Sequence, residues 1–194
     1  MTERSGGWMV TVSGRQFWPL DPRADEVHIE DIAHALGNIC RFGGHTRVHY
    51  SVAQHCILVA ACVPKEDQRW ALLHDAAEAY MGDMVRPIKR FMPNFKEAED
   101  RLLRVIGDRF GLTWPMPESV HVADNLVLGS EARDLMPALC EYERRETAPK
   151  ELKIDPLDPG TARDVYLYNF RRLFGQKPMP DGFVPAVHRK GPVV

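Results

Sequence analysis

Apolar residues recur in this chain at steps of three and four over most of its length, a spacing that buries one face of a helix and suits little else. Ile29, Ile32, Ala33, Leu36, Ile39 and Cys40 share such a face, which predicts a first helix ending near Gly43-Gly44. Val52, Ala53, Cys56, Val59 and Ala60 form a second stripe, stopped at Pro64, which has no N–H to continue the ladder. A third helix is expected over Asp67–Met81, apolar on the side of Trp70, Leu73 and Ala77. Gly82 to Pro93 contains Pro87 and no sustained period, so it reads as a connecting loop with room for one helical turn. Asn94 and Glu97 resemble a capping box ahead of Phe95, Ala98, Leu102, Val105 and Ile106, predicting a fourth helix that ends at Gly111. Beyond Pro115 and Pro117 a fifth helix is expected from about Glu118 to about Leu139. A turn-rich surface loop from Pro149 to Gly160, a last helix over Thr161–Phe174 closed by Gly175, and an extended tail complete the pattern. The helical period is absent near the N-terminus, where Trp8 to Val12 and Gln16 to Trp18 flank Ser13-Gly14 as a short hairpin would. The expectation is an all-α helical bundle with a short N-terminal β-hairpin, forming a single domain over residues 1–194.

Charge and composition narrow the function. Lys and Arg number 25 against 27 Asp and Glu, a formal charge of −2, so no basic excess exists to track a phosphodiester backbone and no stable nucleic-acid complex is expected. Apolar runs such as Cys56 to Val63 fall far short of the roughly 18 to 20 residues that a membrane span needs. The segment MTERSGGWMV has no apolar core of a signal peptide, which leaves the cytoplasm as the expected location, with no membrane partner. Cys40, Cys56, Cys62 and Cys140 include no CxxC pair and read as reduced, structural thiols.

Polar residues inside apolar helical patterns carry the chemistry. His74 is followed at once by Asp75 among apolar or small neighbours. Consecutive helical side chains point about 100° apart, so this imidazole and carboxylate converge only on something lying between them. A metal ion is the economical candidate. His55 on the preceding helix and Asp124 on a later one would complete two nitrogen and two oxygen donors, a set suited to one divalent transition ion with positions left open. Glu78, at i+4 from His74, shares its helix face, and Asp83 follows after Gly82 where a loop can bend over the site. Such carboxylates can orient an attacking water or protonate a leaving oxygen. Arg41, Arg47, Arg86 and Lys89 surround these positions in sequence, as a phosphorylated substrate would require. Taken singly, a helix-borne His is more often a hydrogen-bonded core residue, and spacing alone leaves both readings open.

The order His55, His74-Asp75, Asp124 is similar to the H, HD, D pattern of the HD-domain metal-dependent phosphohydrolases, and over residues 8–140 the chain resembles the bacterial and prophage or phage 5′-deoxynucleotidases. Two segments carry the resemblance: IEDIAHALGNICRFGGHTRVHYSVAQH and LLHDAAEAYMGDMVRPIKRF. It implies an HD-type helical fold, with His55, His74, Asp75 and Asp124 as ligands of one divalent ion, manganese, cobalt, another transition ion or magnesium. It further implies Glu78 and Asp83 as the catalytic acidic pair, Arg41 and Lys89 at the phosphate, and Phe42 against the sugar where relatives carry Trp. Gln54 stands where several relatives have Glu, and with Phe42 it loosens the expected selection for 2′-deoxy sugars. His45 and His49 are further candidates for phosphate or supporting contacts. The activity implied is release of phosphate from (deoxy)nucleoside monophosphates, so the partner is a small nucleotide; a homodimer is compatible with the resemblance. Two alternatives stand beside it: a dNTP triphosphohydrolase using Arg86, Lys89, Arg90 and Lys96 along a longer tail, and a metal-free regulatory domain. A cyclic-nucleotide phosphodiesterase fits less well, since only His188 follows His121.

Overall fold

The computed structural model describes residues 4–137 and 152–176. Strands β1 (Met9–Val10) and β2 (Gln16–Phe17) pair antiparallel, with Met9 opposite Phe17 and Gly14 at φ +77° in the turn. Eight helices follow: α1 (Ile29–Asn38), α2 (Val52–Ala61), α3 (Gln68–Leu73), α4 (Glu78–Met81), α5 (Arg86–Lys89), α6 (Pro93–Arg109), α7 (Glu118–Leu135) and α8 (Pro159–Leu173). The described chain is thus all-α with a short hairpin. None of its helices is long and apolar enough to cross a membrane.

α2 occupies the middle, packing on α1, α3, α7 and α8. That position explains why its apolar residues surround it and why His55 and Gln54, among its few polar groups, are buried. α8 returns across α1 so closely that a Cβ on Gly37 would lie 2.8 Å from the carbonyl oxygen of Pro159. The hairpin joins the same core through Phe17, fully buried and stacked on Tyr80 of α4 with ring centroids 3.8 Å apart. It therefore braces the short helix that begins with Glu78.

Several boundaries differ from the periodicity reading, each where another bond outcompetes the helical ladder. α1 stops at Asn38 rather than near Gly43, because Ile39 to Arg41 turn outward to pair with the segment before α2. Arg41 N–H donates to the Tyr50 carbonyl at 2.9 Å and Val52 N–H to that of Ile39 at 3.0 Å. The expected single helix over Asp67–Met81 is divided into α3 and α4 by a tightened turn, in which Ala76 bonds back to Leu73 and Glu78 to Asp75. Three-residue spacing replaces four-residue spacing there. α6 begins at Pro93, not through an Asn94 cap: proline lacks an N–H that the first helical position cannot use anyway. α7 closes at Leu135 with Met136 extended, and residues 138–139 of the longer expected helix lie outside the described residues. α8 begins two residues early, at Pro159, where Asp158 accepts from Thr161 N–H. The loop expected at Pro149–Gly160 is ordered over its described part, although Ile154 is buried. Residues 149–151, Cys140 and the tail from residue 177 lie outside the described residues. Cys40, Cys56 and Cys62 are free thiols, and burial pushes that of Cys56 above its ordinary pKa.

Candidate metal centre

The tightened turn between α3 and α4 decides the centre. It lets the Nδ1 of His74 hydrogen-bond the carbonyl of Ala71 at 2.7 Å, three residues back, so that atom carries the proton and Nε2 is left as a lone pair. On α2, His55 is held in the same sense: its Nδ1 lies 2.6 Å from Oε1 of Glu131. The two Nε2 atoms then face each other at 3.2 Å. In neutral imidazoles these would be two opposed lone pairs, and a proton or a metal ion between them would relieve the repulsion.

Asp75 completes the group, its Oδ2 3.2 Å from Nε2 of His74 and 3.5 Å from that of His55. Donors about 2.1 Å from a common divalent ion lie about 3.0 to 3.4 Å apart at octahedral to tetrahedral angles, so these separations match the edges of one coordination shell. The ligand atoms of His55, His74 and Asp75 all fall within 4.8 Å of one another. Asp124 joins at the margin: Oδ1 lies 3.2 Å from Nε2 of His55, while Oδ2 pairs with Nη2 of Arg86 at 2.7 Å. Electrostatics point the same way. Burial disfavours a charged His74, yet Asp75 more than offsets it and the imidazole titrates well above its usual value. Burial and Arg41 oppose protonation of His55, but Glu131 and Asp124 raise it. Despite burial, the two imidazoles hold Asp75 below the usual carboxylate range, and His55 does the same for Asp124. The group favours positive charge, and His55, His74 and Asp75 could hold a metal ion.

The centre opens into a cavity of about 470 Å³. Asp75, Glu78, Asp83 and Asp124 lie on its acidic side, Arg41, Arg86, Lys89 and His45 bring nitrogen, and Phe42, Met84, Val85, Pro87, Leu128 and Met136 make an apolar wall. Phe42 enters that wall through a left-handed backbone (φ 57°, ψ 30°), followed by Gly43 at φ 59°. A non-glycine residue there costs on the order of 1 kcal/mol, accepted where a turn must aim its side chain. Glu78 is buried, and its Oε2 has no partner among the described residues. Burial first, then Asp75 and Asp83, push its carboxyl well above the usual range, against the pull of Arg41 and Lys89. Burial also raises Asp83, against the pull of Arg41.

The other candidates divide. Arg41 is buried between Asp75 at 3.5 Å and Glu131 at 3.1 Å. Lys89 lies 2.7 Å from Glu99 and 4.0 Å from Glu78. Arg47 is not in the cavity wall; it donates to the carbonyl of Asp134 at 2.7 Å. His49 turns away too, its Nε2 3.3 Å from the carbonyl oxygen of Gly37. Gln54 serves the fold instead of the sugar: its amide donates to the Asp155 carbonyl at 2.7 Å and accepts from Leu157 N–H at 2.8 Å, a double role that a carboxylate could not fill.

Glu131 is the residue that the periodicity reading missed. Fully buried, it receives Arg41, the Tyr50 hydroxyl at 2.9 Å and Nδ1 of His55. Burial raises its pKa, but Arg41, His55 and Tyr50 bring it down to about 2. Its signal was available: Glu131 stands seven residues after Asp124, two turns along the same helix face, in an otherwise apolar stretch. Glu131→Ala would leave a buried guanidinium and phenol unpaired, and urea denaturation is expected to show a loss of about 3 to 5 kcal/mol. Glu131→Gln, which still offers an acceptor, should lose less.

Fold and site together define a helical protein with a buried His–His–Asp group able to hold a metal ion. No protein-family model matches the chain. It is 38% identical over 170 residues to YfdR of Escherichia coli K12, covering 84% of this chain and 93% of that protein. A Rhodobacter capsulatus protein is 37% identical over 142 residues, covering 66% of this chain and 72% of its own length. Both are described only as uncharacterized. The chain belongs to the family that includes YfdR.

Proposed function

We propose that this protein is a metal-dependent phosphohydrolase of the HD-domain type, releasing inorganic phosphate from (deoxy)nucleoside monophosphates. One observation carries the reading: two imidazoles with both Nδ1 atoms hydrogen-bonded bring their Nε2 atoms to 3.2 Å beside Asp75, which lines a cavity that also holds Glu78, its carboxyl pushed well above the usual range. His55, His74, Asp75 and Asp124 would hold one divalent ion, manganese, cobalt or magnesium among them. Such an ion supplies a Lewis acid for phosphoryl oxygens and lowers the pKa of a water nucleophile. Arg41 lines the same cavity, keeps a buried Nε–H without a partner among the described residues, and stabilises charge that develops on the phosphate. Glu78 offers its proton to the departing oxygen, and Asp83 orients the attacking water. The apolar wall around Phe42 accepts the nucleoside and keeps water from it.

Cation placement favours a monophosphate over a triphosphate. Arg41, Arg86 and Lys89 are each already engaged by carboxylates, and Arg90 and Lys96, invoked for a longer tail, do not line the cavity. The test is a panel of nucleoside mono- and triphosphates with several metals, scoring phosphate against triphosphate release. We expect phosphate from monophosphates at the higher kcat/KM, with Arg41→Ala and Lys89→Ala depressing kcat rather than only raising KM. Release of intact triphosphate at the higher kcat/KM overturns the choice, and a purified protein without metal or turnover would leave a regulatory domain as the reading.

A further inference from the structure

Arg86 divides the two oxygens of Asp124 between two tasks. Its Nη2 holds Oδ2 at 2.7 Å and its Nη1 reaches Oδ1 of Asn125 at 3.4 Å, while Oδ1 of Asp124 faces Nε2 of His55 at 3.2 Å. Only one carboxylate oxygen is thereby presented to the centre. Arg86 also begins α5, three residues after Asp83 and three before Lys89, and all three side chains line the same cavity. A one-turn helix has no intrinsic stability in water and persists only through its attachments. α5 contributes no buried residue, and Ile88, at its apolar position, is 54% exposed. Its side-chain ties are polar: Lys89 to Glu99 of α6, and Arg86 to Asp124 and Asn125 of α7.

We infer that Arg86 is a positioning residue that latches α5 to α7, fixing Asp124 as a one-oxygen donor and holding Asp83 and Lys89 over the cavity. The inference rests on the metal centre proposed above. It assigns Arg86 differently from the neighbouring cations. Asp124 and Asn125 already engage both terminal nitrogens, so a phosphate would have to share Arg86 with the carboxylate that faces His55. The pair is half open to solvent, with side-chain exposures of 49% and 19%, so its Coulombic worth is small and its effect is orientational. Partners that orient a ligand typically change metal affinity by about 10- to 100-fold, and this exposure places Arg86 at the lower end.

The experiment compares the full-length protein with Arg86→Ala and Arg86→Lys. Calorimetric titration with Mn²⁺ is expected to show binding weakened about tenfold in the alanine variant and partly restored by lysine, which keeps one donor for Asp124. Hydrogen exchange of metal-free protein is expected to quicken over residues 84–90 in Arg86→Ala, with α2 and α8 unchanged. This second readout depends on neither metal nor turnover, so it still decides the latch if the parent protein binds no Mn²⁺. Unchanged exchange over α5 overturns the inference. So does unchanged Mn²⁺ affinity with a raised KM for a nucleoside monophosphate, which would assign Arg86 to the substrate.

Discussion

Alanine in place of His74 or Asp75 is expected to remove bound metal and turnover together. Each substitution deletes one donor from a group whose atoms lie within 4.8 Å of one another. His74 is also the residue whose Nδ1 closes the tightened turn on Ala71. The variants should nonetheless fold, because Leu72, Leu73 and Ala76 around the turn are fully buried and hold its path independently of the imidazole. Metal content after dialysis, turnover on a nucleoside monophosphate and a thermal melt would be read on the same preparations. Stoichiometric metal with normal turnover in either variant would sink the assignment of the centre.

Glu78→Gln should separate proton transfer from metal binding. Glutamine has nearly the size and shape of the Glu78 carboxyl, which burial and the nearby Asp75 and Asp83 push above the usual range, so fold and metal content should be retained. It cannot give up a proton to a leaving oxygen, and turnover is expected to fall by about 10² to 10⁴. The loss should appear in kcat and kcat/KM alike, as for an interaction made only in the transition state. Loss of metal would make Glu78 a ligand; unchanged turnover would move the proton chemistry to Asp83.

Local pattern determined most of the fold and much of the candidate site. Apolar spacing placed α1, α2, α6, α7 and α8 to within a few residues, because a stripe at three and four residue steps can be buried only as a helix. The Ser13-Gly14 turn marked the hairpin for an equally local reason. The odd polar residues within those stripes, His55, His74-Asp75 and Asp124, marked the centre, since burying them demands a partner. What apolar spacing could not supply were bonds made outside the regular helical ladder. Cys40 to Ser51 took the end of α1 out of its helix, and the His74 to Ala71 bond accompanies the break between α3 and α4. Only the packing of α7 against α2 revealed that Glu131 holds His55, Arg41 and Tyr50 at once, and only the segment before α8 revealed that Gln54 belongs to the fold rather than to the cavity. Helical periodicity is a property of neighbours along the chain, whereas the hydrogen bonding of His55, the engagement of Arg41, Arg86 and Lys89, and the raised pKa of Glu78 depend on groups that tertiary structure alone brings within a few ångströms.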